Sequence, residues 1–179
     1  ISLDRTTLAA MNASEWVCAL KLDGQRVLLV CMEYERGKFA SVLLGRNMQM
    51  WRVQLRGDKT MIQSAILDGE LMGEDLYLFD NLQLYNGDTD YCTRWDSVHA
   101  FCEVVSGVSL NLHAKPIYPA EEAPSVFMEA TLPHDGVVFT QNTPMREFSK
   151  RTPRMLKWKW EHSIDLAIED GTLLWRGDS

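Results

Sequence analysis

Apolar runs in the first half of the chain are short and closely punctuated. Residues 16–22 (WVCALKL) are nearly all apolar, Asp23-Gly24 interrupts them, and 27–30 (VLLV) resume the run. Residues 38–44 follow the Arg36-Gly37 turn, 66–67 lead into Asp68-Gly69-Glu70, and 76–82 follow Gly73. Runs of this length between turn residues predict strands of an antiparallel, β-rich core. One stretch has helical spacing. Trp95, Val98, Phe101, Cys102 and Val105 predict a helix over 94–105, with Thr93 as N-cap and Gly107 just past its end. Residues 110–117 read as a strand ending near Pro116, and 121–130 as a short helix broken or begun at Pro124. Residues 137–140, 155–160 and 164–168 read as further short strands. No internal repeat or low-complexity stretch is present, and the class is α+β with β dominant.

Composition narrows this picture. The 179 residues are 46% apolar and 24% charged, enough to bury a core and to exclude whole-chain disorder. Eighteen basic residues against 25 acidic ones give a net charge of −7, which excludes a histone-like coat but leaves a locally basic pocket open. The four cysteines, at 18, 31, 92 and 102, form no CxxC pair and read as reduced thiols of an intracellular protein. No apolar run nears the roughly 18 residues that span a bilayer, so no membrane partner is expected. The chain starts at Ile1 without a leader pattern, and the expectation is a single domain over 1–179, part of a longer polypeptide. The four histidines lack HExxH or zinc-finger spacing, and there is no P-loop or GxGxxG.

The chemistry concentrates in five short signatures. Lys21-Leu22-Asp23-Gly24-Gln25-Arg26 reads KxDGxR. On its own it also describes a hairpin, with Lys at a strand end and Arg opening the next strand. A lysine amine attacks an α-phosphate only after losing its proton, and nearby cations favour that loss. Downstream come Asp68-Gly69-Glu70, then Tyr77-Leu78-Phe79-Asp80, then His134-Asp135-Gly136-Val137-Val138-Phe139, then Leu156-Lys157-Trp158-Lys159. Alternation along a strand puts Lys157 and Lys159 on one face. Each signature alone has a plain reading: a solvated turn carboxylate, a core aromatic, a lysine-decorated strand. His134 alone reads as a turn residue.

Together and in this order they resemble the covalent nucleotidyltransferases: mRNA capping guanylyltransferases, ATP-dependent DNA ligases and RNA ligases. The resemblance covers roughly residues 16–168. It implies a β-rich α+β domain, ATP-grasp-like and ligase-type, of antiparallel sheets flanked by helices, with the family's C-terminal OB-fold lobe absent from this chain and first-step activity weak or absent without it. It implies Lys21 as the nucleophile and Arg26, Arg46, Glu70, Phe79, Lys157 and Lys159 as nucleotide-binding residues, with Phe79 stacking on the purine. Asp135 and Glu70 would hold Mg²⁺ or Mn²⁺. Lys115 is a further candidate for the pocket.

Within the superfamily, Asp135-Gly136 in its longer context and the Trp between Lys157 and Lys159 resemble capping guanylyltransferases, where ligases usually carry Glu-Gly and rarely that Trp. Trp160 in place of Pro, and His162-Ser163 in place of Asn-Thr, depart from the capping pattern. The capping branch implies GTP, a 5′-diphosphate RNA and the transcription machinery as partners, in the nucleus for a cellular protein, and in the host cytoplasm or the virion for a viral one. The alternatives are the adenylation domain of an ATP-dependent RNA or DNA ligase, and an inactive lobe serving as a binding module.

Overall fold

The structure, a computed structural model, describes residues 11–85, 87–144, 155–159, 166–169 and 172–175. Two open sheets organise it. The larger has six strands in the order β4-β3-β2-β6-β7-β9: β4 Met50–Val53, β3 Lys38–Gly45, β2 Gln25–Glu35, β6 Ser64–Met72, β7 Asp75–Asn81 and β9 Asn111–Ala114. The smaller runs β10-β1-β11-β12: β10 Tyr118–Pro119, β1 Trp16–Leu22, β11 His134–Gln141 and β12 Met155–Lys159. Two strand pairs complete the set, β5 Leu55–Gly57 with β8 Val105–Gly107, and β13 Leu166–Glu169 with β14 Thr172–Trp175. The three α-helices among the described residues are α1 Lys59–Gln63, α2 Tyr91–Val104 and α3 Ala123–Met128. The α+β, β-rich class expected from the sequence is the class found. One pairing, β7 with β9, is parallel rather than antiparallel, because α2 intervenes as a crossover.

Each sheet has its own core. Beneath the larger sheet Val27, Leu29, Leu43, Leu67, Leu76 and Leu78 pack against Val98 and Phe101 of α2. Five of these side chains, Leu29, Leu67, Leu76, Leu78 and Val98, are fully excluded from water, each worth about 1.5–3 kcal/mol of transfer free energy. Beneath the smaller sheet Trp16, Cys18, Val137, Phe139 and Leu156 pack with Ala123 of α3, and Phe127 and Trp158 close the edge. All four cysteines are free thiols, and burial pushes Cys18 and Cys102 up to about 11.

Several local expectations change. Helix α2 starts three residues early, with Asp90 as N-cap: its carboxylate accepts the Thr93 backbone N–H, so Thr93 lies inside the first turn. Gly107 ends no helix, because Val105–Gly107 leaves α2 directly as β8. The 110–117 run holds only β9, which stops at Ala114, and β10 follows beyond it in the other sheet. Pro124 begins α3 rather than breaking it. His134 opens β11 instead of sitting in a turn. β4, β5, α1 and β14 were not expected from the pattern. The readings at Trp160, His162, Ser163, Ile164 and Asp165 lie outside the described residues.

Candidate active site

The KxDGxR segment is not a hairpin. β1 belongs to the smaller sheet and β2 to the larger, so Asp23-Gly24 is a two-residue crossover between sheets. It leaves Lys21 on one wall of a cleft and Arg26 on the other. Its geometry is fixed from behind. The Asp23 N–H donates to the Pro133 carbonyl at 3.3 Å, and a Cβ on Gly24 would stand 2.6 Å from the Leu71 carbonyl oxygen. The glycine is demanded by the close approach of β6 to the crossover.

On the smaller wall, register breaks between Leu20 and Leu22, which pair with Val137 and His134. Asp135 and Gly136 thus stand against the single Lys21, a β-bulge that turns Asp135 toward it. The Lys21 ammonium donates to both Asp135 carboxylate oxygens, at 2.5 and 2.6 Å, and Lys159 reaches the same carboxylate at 3.0 Å. Partial burial pushes the Asp135 carboxyl up, but the two lysines outweigh it and hold it below the usual range. Gly136 has φ +151° and its Cβ would fall 1.9 Å from the Trp158 carbonyl oxygen, so only glycine lets β12 approach. Alternation on β12 then sends Leu156 and Trp158 to the core and Lys157 and Lys159 to the cleft. Trp158 meets Phe127 edge to face with centroids 5.1 Å apart. It is a packing residue and stands away from the cleft, which weakens it as a marker of the capping branch.

On the larger wall, Arg26 pairs with Glu70 across strands, so both share a face with Asp68. Arg26 grips Asp68 through Nε at 3.0 Å and through its terminal nitrogen. That hydrogen bond raises the Arg26 pKa further, while burial keeps the Asp68 carboxyl above its ordinary value despite the arginine. β7 also bulges here: Gly69 pairs with Leu78 and Asp68 with Asp80, leaving Phe79 unpaired. The Phe79 ring lies 5.7 Å from the Arg26 guanidinium and 4.5 Å from the Lys115 ammonium. Lys115 is 8% exposed and donates to the Leu20 carbonyl at 3.3 Å; burial lowers its pKa to about 8. Arg46 follows β3 in an exposed turn. Lys157 feels both walls: burial lowers its pKa, helped by the charges of Arg26, Lys21 and Arg46 and opposed by Glu70.

The fold thus gathers Lys21, Arg26, Arg46, Glu70, Phe79, Asp135, Lys157 and Lys159 around one cleft. Asp68 was quoted in the second signature but given no role, although a period-two Asp-x-Glu puts it beside Arg26. Lys115 was placed only loosely. Among the described residues no three His, Cys, Asp or Glu side chains cluster as a metal cage. Asp135 and Glu70, the expected metal ligands, offer the carboxylate oxygens a hard cation takes, but here both Asp135 oxygens are engaged by Lys21 and Lys159. Chemically, such a cleft can hold a polyphosphate beside an amine.

No family model matches the chain, and no curated protein matches it. Its fold is similar to that of solved DNA ligases. The structure of mycobacterial DNA ligase D complexed with ATP and MES aligns at TM-score 0.57 and 17% identity, covering 87% of this chain and 58% of that one. A Lig E DNA ligase described as binding DNA with a minimal scaffold gives TM-score 0.56 and 14% identity, over 89% of this chain and 67% of its own. The ligase domain of LigD from M. tuberculosis gives 0.54 and 17%, over 84% and 55%. The chain therefore spans just over half the length of the two LigD structures. No helix among the described residues is long and apolar enough to cross a membrane.

Proposed function

We propose that the chain is a covalent nucleotidyltransferase domain in which Lys21 takes a nucleoside monophosphate from a nucleoside triphosphate and passes it to the 5′ end of a polynucleotide. The observation that carries this reading is the meeting of Lys21, Asp135 and Lys159 at one carboxylate, with Lys157 beside them and Arg26, Glu70 and Phe79 opposite. Lys21 sheds a proton, and Asp135 is its hydrogen-bond acceptor among the described residues. The amine nitrogen then bonds to the α-phosphorus as the α–β bridging bond breaks, and pyrophosphate leaves. Lys157 and Lys159 take up charge on the phosphoryl oxygens. In the second step an oxygen of the polynucleotide's 5′ phosphate attacks the same phosphorus, and the lysine amine is released. Arg26, fixed by Asp68, and Glu70 hold the sugar, and Phe79 carries the base. Mg²⁺ or Mn²⁺ held by Asp135 and Glu70 would offset the charge of the triphosphate.

The donor and acceptor follow two readings. The resemblance in fold to DNA ligases, one of them complexed with ATP, favours adenylyl transfer and strand ligation. Lys115 favours guanylyl transfer to a 5′-diphosphate RNA end. Its ammonium can only donate, and it stands over the Phe79 ring, where a stacked purine would push it to the base edge. Guanine offers two acceptors there, O6 and N7, whereas adenine offers N7 beside an amino donor. Incubation with ATP and GTP side by side, each labelled in the α-phosphate, separates them. The ligase reading expects label from ATP, the capping reading label from GTP, and Lys21→Ala abolishes either. Label surviving Lys21→Ala overturns both.

A further inference from the structure

The two residues that form the base platform are held by one helix that no signature includes. The bulge at Phe79 takes its backbone out of the β6 ladder, and β9 pairs with β7 only as far as Leu78. A carbonyl freed this way needs another donor. The Tyr91 hydroxyl of α2 supplies it, donating to the Phe79 carbonyl at 3.1 Å. One turn on, the Trp95 indole N–H donates to the Lys115 carbonyl at 2.7 Å. Tyr91 and Trp95 are four residues apart, so both point from one helix face. Between them Arg94, fully buried, takes the carboxylate of Asp80, the residue after Phe79, at 2.8 Å. Its guanidinium lies under the Tyr85 ring at 4.3 Å and also donates to the Thr89 carbonyl. The helix is itself anchored across the cleft, since its Cys92 N–H donates to Asn142, just past the end of β11.

We infer that Tyr91 and Trp95 are positioning residues for the purine: through two backbone carbonyls they set the gap between the Phe79 ring and the Lys115 ammonium. This rests on the reading above, in which the base stacks on Phe79 and its edge meets Lys115. Lys21, Asp135 and Lys159 stand on the other sheet, so loosening the clamp weakens donor binding and leaves the chemical step in place.

The test uses Tyr91→Phe, which removes one oxygen and keeps the ring, and Trp95→Phe. Two quantities are measured on each variant and on the wild type. One is the KM for the purine triphosphate against the kcat of Lys21 labelling. The other is amide hydrogen exchange over 78–81 and 113–116 without nucleotide. The expected result is a KM raised about fivefold, the size of one neutral hydrogen bond, with kcat within about twofold. Exchange accelerates in those two segments while the thermal midpoint of Tyr91→Phe stays near wild type. Unchanged KM and unchanged exchange overturn the clamp, as does a loss confined to kcat. If the wild type takes no label from any nucleotide, the nucleotidyltransferase reading fails, and the exchange data alone decide whether α2 holds Phe79 and Lys115.

Discussion

Two titratable residues carry opposite signs in this site. Asp135 is ionised and held down by Lys21 and Lys159. A carboxyl lowered on folding contributes stability that is full above its unfolded value, about 3.9, and is lost as pH falls through the folded value. Asp135→Asn should therefore be less stable than wild type near neutrality, and the gap should close below about pH 4. Denaturant midpoints measured across that range check it; a gap that persists unchanged into acid contradicts the pairing. Lys115 works the other way. Burial lowers it from 10.5 to about 8, so its charge opposes folding while protonated. Above pH 8 the unfolded chain binds more protons than the folded one, and stability rises with pH until the ordinary lysine range is reached. Replacement by Met should remove that rise, so that the stability difference between wild type and variant climbs between about pH 8 and 10.5. Parallel curves for variant and wild type would mean that burial does not hold this lysine.

Elements present the residues through a few backbone positions that tolerate no alternative. Gly136→Ala would drive a Cβ into the Trp158 carbonyl and force an L-residue to φ +151°. We expect a loss of about 2–4 kcal/mol in chemical denaturation, with Lys21 labelling falling further because β12 carries Lys157 and Lys159. A variant as stable as wild type contradicts the required approach of β12. These positions also explain what the pattern of residues revealed and what it hid. β1, β2, β3 and β7 were legible because each is a sustained apolar run bounded by Gly or Asp. β4 was not: Met50, Trp51 and Arg52 lie exposed at the sheet edge, where no core imposes alternation. Residues 110–117 looked continuous up to Pro116, but β9 stops at Ala114, and the Lys115 carbonyl takes the Trp95 indole N–H of α2 instead of a ladder partner. The start of α2 was hidden because Tyr91 and Arg94 face the interior, and a buried arginine does not read as a core residue until Asp80 is seen to neutralise it.

Across the whole molecule, function depends on how two separately packed sheets face each other. The motif residues were legible because their order along the chain is that of a known superfamily. Their shared cleft was not, since KxDGxR reads equally well as a hairpin until β1 and β2 fall in different sheets. The branch is also hidden: Trp158 serves the core, while Lys115, the residue proposed to meet the base edge, sits outside every signature. The Asp23-Gly24 crossover sets the cleft. Inserting two glycines after Asp23 should leave both cores folded, since loop lengthening costs well under about 1 kcal/mol, yet lower Lys21 labelling by about two orders of magnitude through misplacement. Labelling at the wild-type rate would show that the crossover length is immaterial. The most direct measurement is mass spectrometry of the protein after incubation with ATP or GTP and Mg²⁺. The account predicts one nucleoside monophosphate added through an acid-labile bond to the peptide containing Lys21, absent from Lys21→Ala. A folded protein that binds nucleotide yet carries no adduct, or carries it on another residue, contradicts it.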